Sequence, residues 1–164
     1  MLSAACSSGE EAYSIAFEAA QYFSRYAKWC VYGVDIAKSS ISQAKQGLYN
    51  EQRTKFVPDD YRKAYLLKGV DDMAGFCLVK QNIKKRVEFF VGNILSPIKN
   101  APFDVIFCRN VLIYFDNETK QKLVTNLMKQ LNPGGYLIIS QTEQLRNYVP
   151  KDCLISTSVA RAPD

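Results

Sequence analysis

The chain has 164 residues, 48% of them hydrophobic and 23% charged, with a formal net charge of +5. That is long and apolar enough for one domain with a core of its own, it excludes a disordered chain, and no run approaches the roughly 18 apolar residues of a membrane span. It contains no histidine, which excludes Ser-His and Cys-His nucleophile pairs, histidine metal sites and histidine general bases together.

Taken in chain order, the residues alternate between strand and helix patterns. Leu2 to Cys6 reads as a short strand, and Glu10 to about Tyr26 as a helix with Ala16, Ala19, Ala20 and Phe23 on one face. Trp29 to Ile36 is a second strand. Ser39 or Ser40 caps a helix that stops at Gly47, a good left-handed C-terminal position. Val87 to Val91 and Phe103 to Cys108 are strands. Asp116 or Asn117 opens a helix to Leu131 with Leu123, Leu127, Met128 and Leu131 inward, and "NPGG" turns into the strand Tyr136 to Ser140. This rhythm predicts an α/β domain with a mainly parallel sheet. Residues 48–86 break it: they are polar, hold Pro58, Gly69 and Gly75, and read as a small insertion with one short helix and one or two short strands. The five cysteines (Cys6, Cys30, Cys77, Cys108 and Cys153) are widely spaced without a Cys-x-x-Cys pair. They read as buried reduced thiols of a cytoplasmic protein, with no disulfide frame and no metal site.

In an open parallel sheet the residues just after each strand meet the ligand. Here they are Ser7-Ser8-Gly9-Glu10-Glu11, then Asp35, then Gly92-Asn93, then Arg109-Asn110. Asp35 stands about 25 residues beyond the first loop, where a carboxylate can accept both hydroxyls of a ribose. A dinucleotide would want three glycines so that backbone amides crowd a pyrophosphate. This loop has Gly9 alone, followed by two carboxylates that repel phosphate. It suits a nucleoside with a cationic tail, such as S-adenosylmethionine.

Each position also has a plainer reading. Glu10 and Glu11 favour a helix N-terminus through the macrodipole. A strand-terminal Asp35 serves as a cap, Asn93 after a glycine as a turn, and Tyr114 among apolar neighbours as core. Arg109, ending a buried strand, needs an anionic partner.

The segments "SAACSSGEEAYSIA", "VDI", "GLY", "GNIL", "FDVIFCRNVLIYF" and "LNPGGYLIIS", in this order, resemble the catalytic domain of the CheR family, the chemotaxis receptor glutamate methyltransferases. The resemblance covers essentially the whole chain and is most specific at "FCRNVLIYF". It implies a Rossmann-like class I methyltransferase fold over residues 1–164, with an inserted β-subdomain at about 48–86. It also implies S-adenosylmethionine as cofactor and S-adenosylhomocysteine as product. Among the cofactor-binding residues Ala5, Ser7, Gly9, Glu10, Asp35, Ile36, Asn93, Ile94, Arg109 and Asn110, Glu10 would bind the methionine part and Asp35 the ribose. Asn93 and Ile94 would lie against adenine, Arg109 would approach the methionine carboxylate, and Tyr114 would sit beside the reacting methyl, so that Tyr114 and Arg109 are the catalytic candidates.

The family's usual loop has Thr and Pro where this chain has Ser8 and Ala12, and its usual His-Ser-Glu is Gln141-Thr142-Glu143 here. Family members usually begin with a helical domain that covers the cleft and supplies an arginine; this sequence starts on the first strand, as a truncated form or a shortened relative. The implied partners are the cytoplasmic helices of chemotaxis receptors, with a receptor C-terminal peptide at the β-subdomain, and neither nucleic acid nor membrane insertion. The net charge and Lys84-Lys85-Arg86 would help meet an acidic receptor helix, though such a run is usually solvated surface. Two other functions compete: a cofactor- or partner-binding module without activity, and a methyltransferase acting on another substrate. The Asn/Asp-Pro-Pro-Tyr/Phe signature of base amino methylation is missing after "FDVIF".

Overall fold

In the computed structural model, which describes residues 1–24 and 26–164, the first strand, β1 (Leu2–Ala4), sits inside a seven-stranded sheet. The chain continues through α1 (Glu10–Tyr22), β2 (Val31–Asp35) and α2 (Lys38–Gln46). The insertion follows, with β3 (Leu48–Asn50), α3 (Asp59–Tyr65), β4 (Leu66–Lys68), β5 (Phe76–Val79) and α4 (Gln81–Lys84). The main sheet resumes with β6 (Val87–Val91), β7 (Phe103–Cys108), α5 (Asn117–Met128), β8 (Leu131–Ile139), β9 (Leu154–Ser156) and β10 (Val159–Arg161). The strand order is β6-β2-β1-β7-β8-β10-β9. Neighbours from β6 to β8 are parallel, and β10 runs antiparallel to both β8 and β9.

Alternation along the strands builds two apolar layers, one on each face of the sheet. Leu2, Ala4, Val34, Ile106 and Leu137 pack with Leu123, Val124 and Leu127 of α5. Val31 and Phe89 pack on the other side with Ala12, Ala16 and Phe17 of α1 and Ile41 and Ala44 of α2. Tyr49, Tyr65, Leu66, Cys77 and Val79 of the insertion belong to that second cluster. The insertion forms its own three-stranded sheet, β3-β5-β4, one strand more than its polar sequence suggests.

Several boundaries differ from the sequence expectation for identifiable reasons. Strand β1 stops at Ala4 because Ala5 turns left-handed, φ 59°. Helix α1 ends at Tyr22, where Phe23 is extended and caps the helix; its expected continuation toward Tyr26 runs through residue 25, outside the described residues. Ser39 and Ser40 lie inside α2, whose N-cap is Ala37 without a side-chain cap, whereas Gly47 is the left-handed C-cap as expected. Asp116 caps α5 by accepting from the Thr119 amide, and Leu131 opens β8 rather than closing the helix. The register of β8 against β7 jumps from Leu131 to Tyr136, so Asn132-Pro133-Gly134-Gly135 form a bulge within the strand, unpaired with β7 and turn-like at Gly134 with φ 70°.

The cysteines are free, four of them buried and Cys30 half-buried. Burial pushes the Cys6 and Cys108 thiols up to about 12, which makes them inert packing groups. Lys84 donates to the Gln46 carbonyl, and Arg86 donates to the Ala27 and Trp29 carbonyls while covering the Trp29 ring, so these two residues of the basic run are engaged with the protein itself, while Lys85 is exposed.

Candidate active site

Strand order reverses between β1 and β7: β1 leads through α1 to β2 on one side, and β7 leads through α5 to β8 on the other. The loops after β1 and β7 therefore face each other across a crevice, the usual place for a ligand in such sheets. Three non-glycine residues in these two loops hold left-handed backbone: Ala5 at φ 59°, Ser7 at φ 47° and Asn110 at φ 59°. Such conformations carry strain and persist only where the surroundings impose them. Here the Ser7 amide donates to Asp35 Oδ2 at 2.8 Å, the Cys6 amide to the Val34 carbonyl at 2.9 Å, and the Asn110 amide to Ser140 Oγ at 3.0 Å.

Asp35 is anchored at both oxygens, since Oδ1 accepts the Ala37 amide at 2.9 Å. Capping and ligand binding are compatible, because a carboxylate has about four acceptor positions. Beside it Ile36 is 72% exposed, an apolar side chain left on the surface next to a carboxylate. Asn93 follows β6, the neighbour of β2, and its Oδ1 accepts the Leu95 amide, so the turn reading holds for that oxygen. The Ile94 side chain is buried in the core and its carbonyl accepts from Asn126.

Gly9 has φ 94°, and a Cβ there would lie 2.8 Å from the Ala44 Cβ and 3.1 Å from the Tyr49 hydroxyl. The glycine is needed for close packing against protein, which is why one glycine suffices where a phosphate loop uses several. The glutamates after it diverge. Glu10 accepts from Ser8 Oγ at 2.8 Å and pairs with Arg53. Glu11 turns toward the sheet and accepts from Ser3 Oγ at 2.7 Å. Burial raises the Glu11 carboxyl above the usual range, with the Ser3 hydroxyl and the Arg109 charge working against it.

A cleft of about 680 Å³ brings Glu10, Glu11, Arg109 and Asn110 together against Ile15, Ala19 and Phe107. A second hollow, about 590 Å³, shares Phe107, Arg109 and Asn110 and continues past Ser140 to Thr142. Asp35, Ile36 and Asn93 line neither cavity; Asp35 and Asn93 stand at the ends of neighbouring strands, where the Gly92 amide donates to the Asp35 carbonyl at 3.0 Å. Arg109 is exposed in the cleft, with Glu11 as the carboxylate its charge reaches. Tyr114 ends a single turn, Leu112–Tyr114, and is 79% exposed while Leu112 beneath it is buried. The core reading of Tyr114 is thereby corrected. Glu143 is buried and accepts the Ser140 amide, which secures the end of β8 behind Asn110.

Sequence reasoning missed the contribution of the insertion. Arg53 reaches Glu10 and Ser8, and the buried Tyr49 hydroxyl donates to the Ser8 carbonyl at 2.6 Å. Nothing local to "LYNEQRT" signals this, because the contacts span more than forty positions. No group of metal-ligating residues occurs among the described residues.

The profile of the family described as "CheR methyltransferase, SAM binding domain" matches residues 1–159. The chain belongs to that family. It is 35% identical over 150 residues to a chemotaxis protein methyltransferase of Salmonella typhimurium, covering 90% of this chain and 52% of that protein. It is also 35% identical to chemotaxis protein methyltransferase 1 of Pseudomonas aeruginosa, covering 88% of this chain and 54% of that protein. The chain thus spans about half the length of these CheR relatives. Among solved structures, the glycopeptide N-methyltransferase MtfA in complex with S-adenosylmethionine superposes with a TM-score of 0.52 at 13% identity, covering 84% of this chain and 42% of that one. The methyltransferase domain of bacterial CtHen1-C gives 0.52 at 15% identity, with 84% and 54% covered. At such identities these likenesses show the fold, a mainly parallel Rossmann-like sheet of the class I methyltransferase type.

Proposed function

We propose that this chain is the S-adenosylmethionine-binding half of a protein-glutamate O-methyltransferase acting on chemotaxis receptors. The observation that carries the reading is the charge arrangement at the strand ends: the carboxylates of Asp35 and Glu10 stand where a phosphate would be repelled, and Arg109, just after β7, lines the same cleft as Glu10. A nucleoside carrying an amino acid and a sulfonium matches all three. Asp35 would accept the ribose hydroxyls, with Ile36 and Asn93 flanking the base. Glu10 would accept from the ammonium, and Arg109 would meet the carboxylate.

When bound, the cofactor supplies an electrophilic methyl group. The chain's residues then have little proton transfer to perform, because an unperturbed glutamate side chain titrates at about pH 4.3 and a receptor glutamate is already ionised at neutral pH. This agrees with the absence of histidine. Their work is to bind, to align the carboxylate with the methyl at roughly 3 to 3.5 Å, and to exclude water. In this reading Tyr114, exposed on its turn after β7, would donate a hydrogen bond to the incoming carboxylate. The receptor's C-terminal peptide would add to the insertion by strand pairing, for which β4 is an edge strand with Leu67 exposed.

The test is transfer of labelled methyl from S-adenosylmethionine to receptor fragments, to nucleic acid and to no acceptor, with calorimetry of cofactor binding. The reading requires binding by this chain and base-labile methyl esters on receptor glutamates once the part of a curated relative that lies outside the match is supplied in trans. Binding without transfer under those conditions would leave a cofactor-binding module, and label in nucleic acid would assign another substrate.

A further inference from the structure

Arg53 lies in the insertion, on the single turn Glu51–Thr54, and 45 positions from Ser8. It nevertheless closes a three-membered circuit with the loop after β1. Its Nη2 donates to Ser8 Oγ at 2.9 Å and pairs with Glu10 Oε1, while Ser8 Oγ donates to Glu10 Oε2 at 2.8 Å. Ser8 is only 5% exposed, and Tyr49 of β3 holds its carbonyl from the same side. Both oxygens of Glu10 are thus fixed by groups outside α1.

We infer that Arg53 is a positioning residue for recognition of the ligand's amino group, acting through Glu10. This rests on the proposed cofactor reading, in which Glu10 accepts from the methionine ammonium. A glutamate has three side-chain torsions, and freezing them on binding has an entropic cost. Arg53 and Ser8 freeze them beforehand, occupying two acceptor positions of the carboxylate and leaving others open toward the cleft. The effect belongs to the amino-acid tail alone. The ribose and base meet Asp35, Ile36 and Asn93, which Arg53 does not touch.

Two ligands separate these parts: S-adenosylhomocysteine, which has the amino-acid tail, and 5′-methylthioadenosine, which lacks it. Calorimetry on the 164-residue chain should show Arg53→Ala weakening S-adenosylhomocysteine by about 3- to 10-fold, as for a half-exposed ion pair with a second hydrogen bond. Methylthioadenosine affinity should stay unchanged. Arg53→Lys should recover part of the loss, and Arg53→Ala should add nothing to Glu10→Gln, which alone removes the shared charge. Thermal unfolding of each variant monitors the fold, and Arg53→Gln, which keeps a donor for Ser8, serves if the alanine variant does not fold. Equal weakening of both ligands would make Arg53 merely structural. An unchanged or tightened S-adenosylhomocysteine affinity would overturn the inference outright, the latter showing that Arg53 competes for Glu10. If Glu10→Gln itself leaves S-adenosylhomocysteine binding intact, or the unmodified chain binds neither ligand, the cofactor reading fails first and carries the inference with it.

Discussion

Oδ2 of Asp35 accepts the backbone amide of Ser7 at 2.8 Å, which joins the end of β2 to the left-handed loop after β1. The carboxylate that would meet the ribose also holds the loop that would meet the methionine. Asp35→Ala should therefore weaken S-adenosylhomocysteine by roughly 1.5 to 3 kcal/mol in calorimetry, the range for hydrogen bonds to a charged group, and should also lower the melting temperature. Unchanged affinity would remove Asp35 from the ligand.

Tyr114→Phe should lower turnover on receptor fragments far more than it changes cofactor affinity. Tyr114 is 79% exposed, so the change in folding stability should stay within about 0.5 kcal/mol. A comparable loss in cofactor affinity would place the phenol on the wrong ligand.

Glu11 gives a pH dependence of known sign. Its carboxyl is raised in the folded chain by burial, so its contribution to stability is fully present below the unfolded value and is lost as pH rises through the folded one. Glu11→Gln, which still accepts from Ser3, should raise the melting temperature at neutral pH, and the gain should vanish in acid. A gain that persists undiminished at acid pH would mean that the carboxylate is not the source.

Leu127 is fully buried in the layer under α5. Leu127→Ala should cost about 2 to 5 kcal/mol in chemical denaturation, the usual cost of such a cavity. A smaller loss would show that α5 can settle into the space.

How much was legible in the sequence depended on how far each interaction reaches along the chain. Strands β6 and β7 match their expected limits, because an apolar run bounded by polar residues is a local signal. The Gly47 cap is local too, and it was read correctly. The course of NPGG is not local, because the register against β7 jumps from Leu131 to Tyr136 across it and its glycines bond instead to Pro163 and Ala162, near the end of the chain. At the site, the loops after β1, β2, β6 and β7 could be picked out from their position behind apolar strands. The partner of Glu10 could not, since Arg53 is brought to it only by the packing of the insertion.

The insertion's participation in the second apolar cluster limits how this protein can be re-engineered or can diverge. Phe17 of α1 stacks on Tyr65 of the insertion with ring centroids 5.1 Å apart, and Tyr13 of α1 meets Tyr49 edge-on at 6.1 Å. Residues 48–86 are consequently not a cassette. Grafting another relative's version onto this sheet would leave Phe17 and Tyr13 facing foreign side chains, and would hand Glu10 whatever residue replaced Arg53. New specificity in the insertion and the chemistry at the strand ends must change together, by compensated pairs of substitutions, and chimeras that exchange one without the other inherit the mismatch.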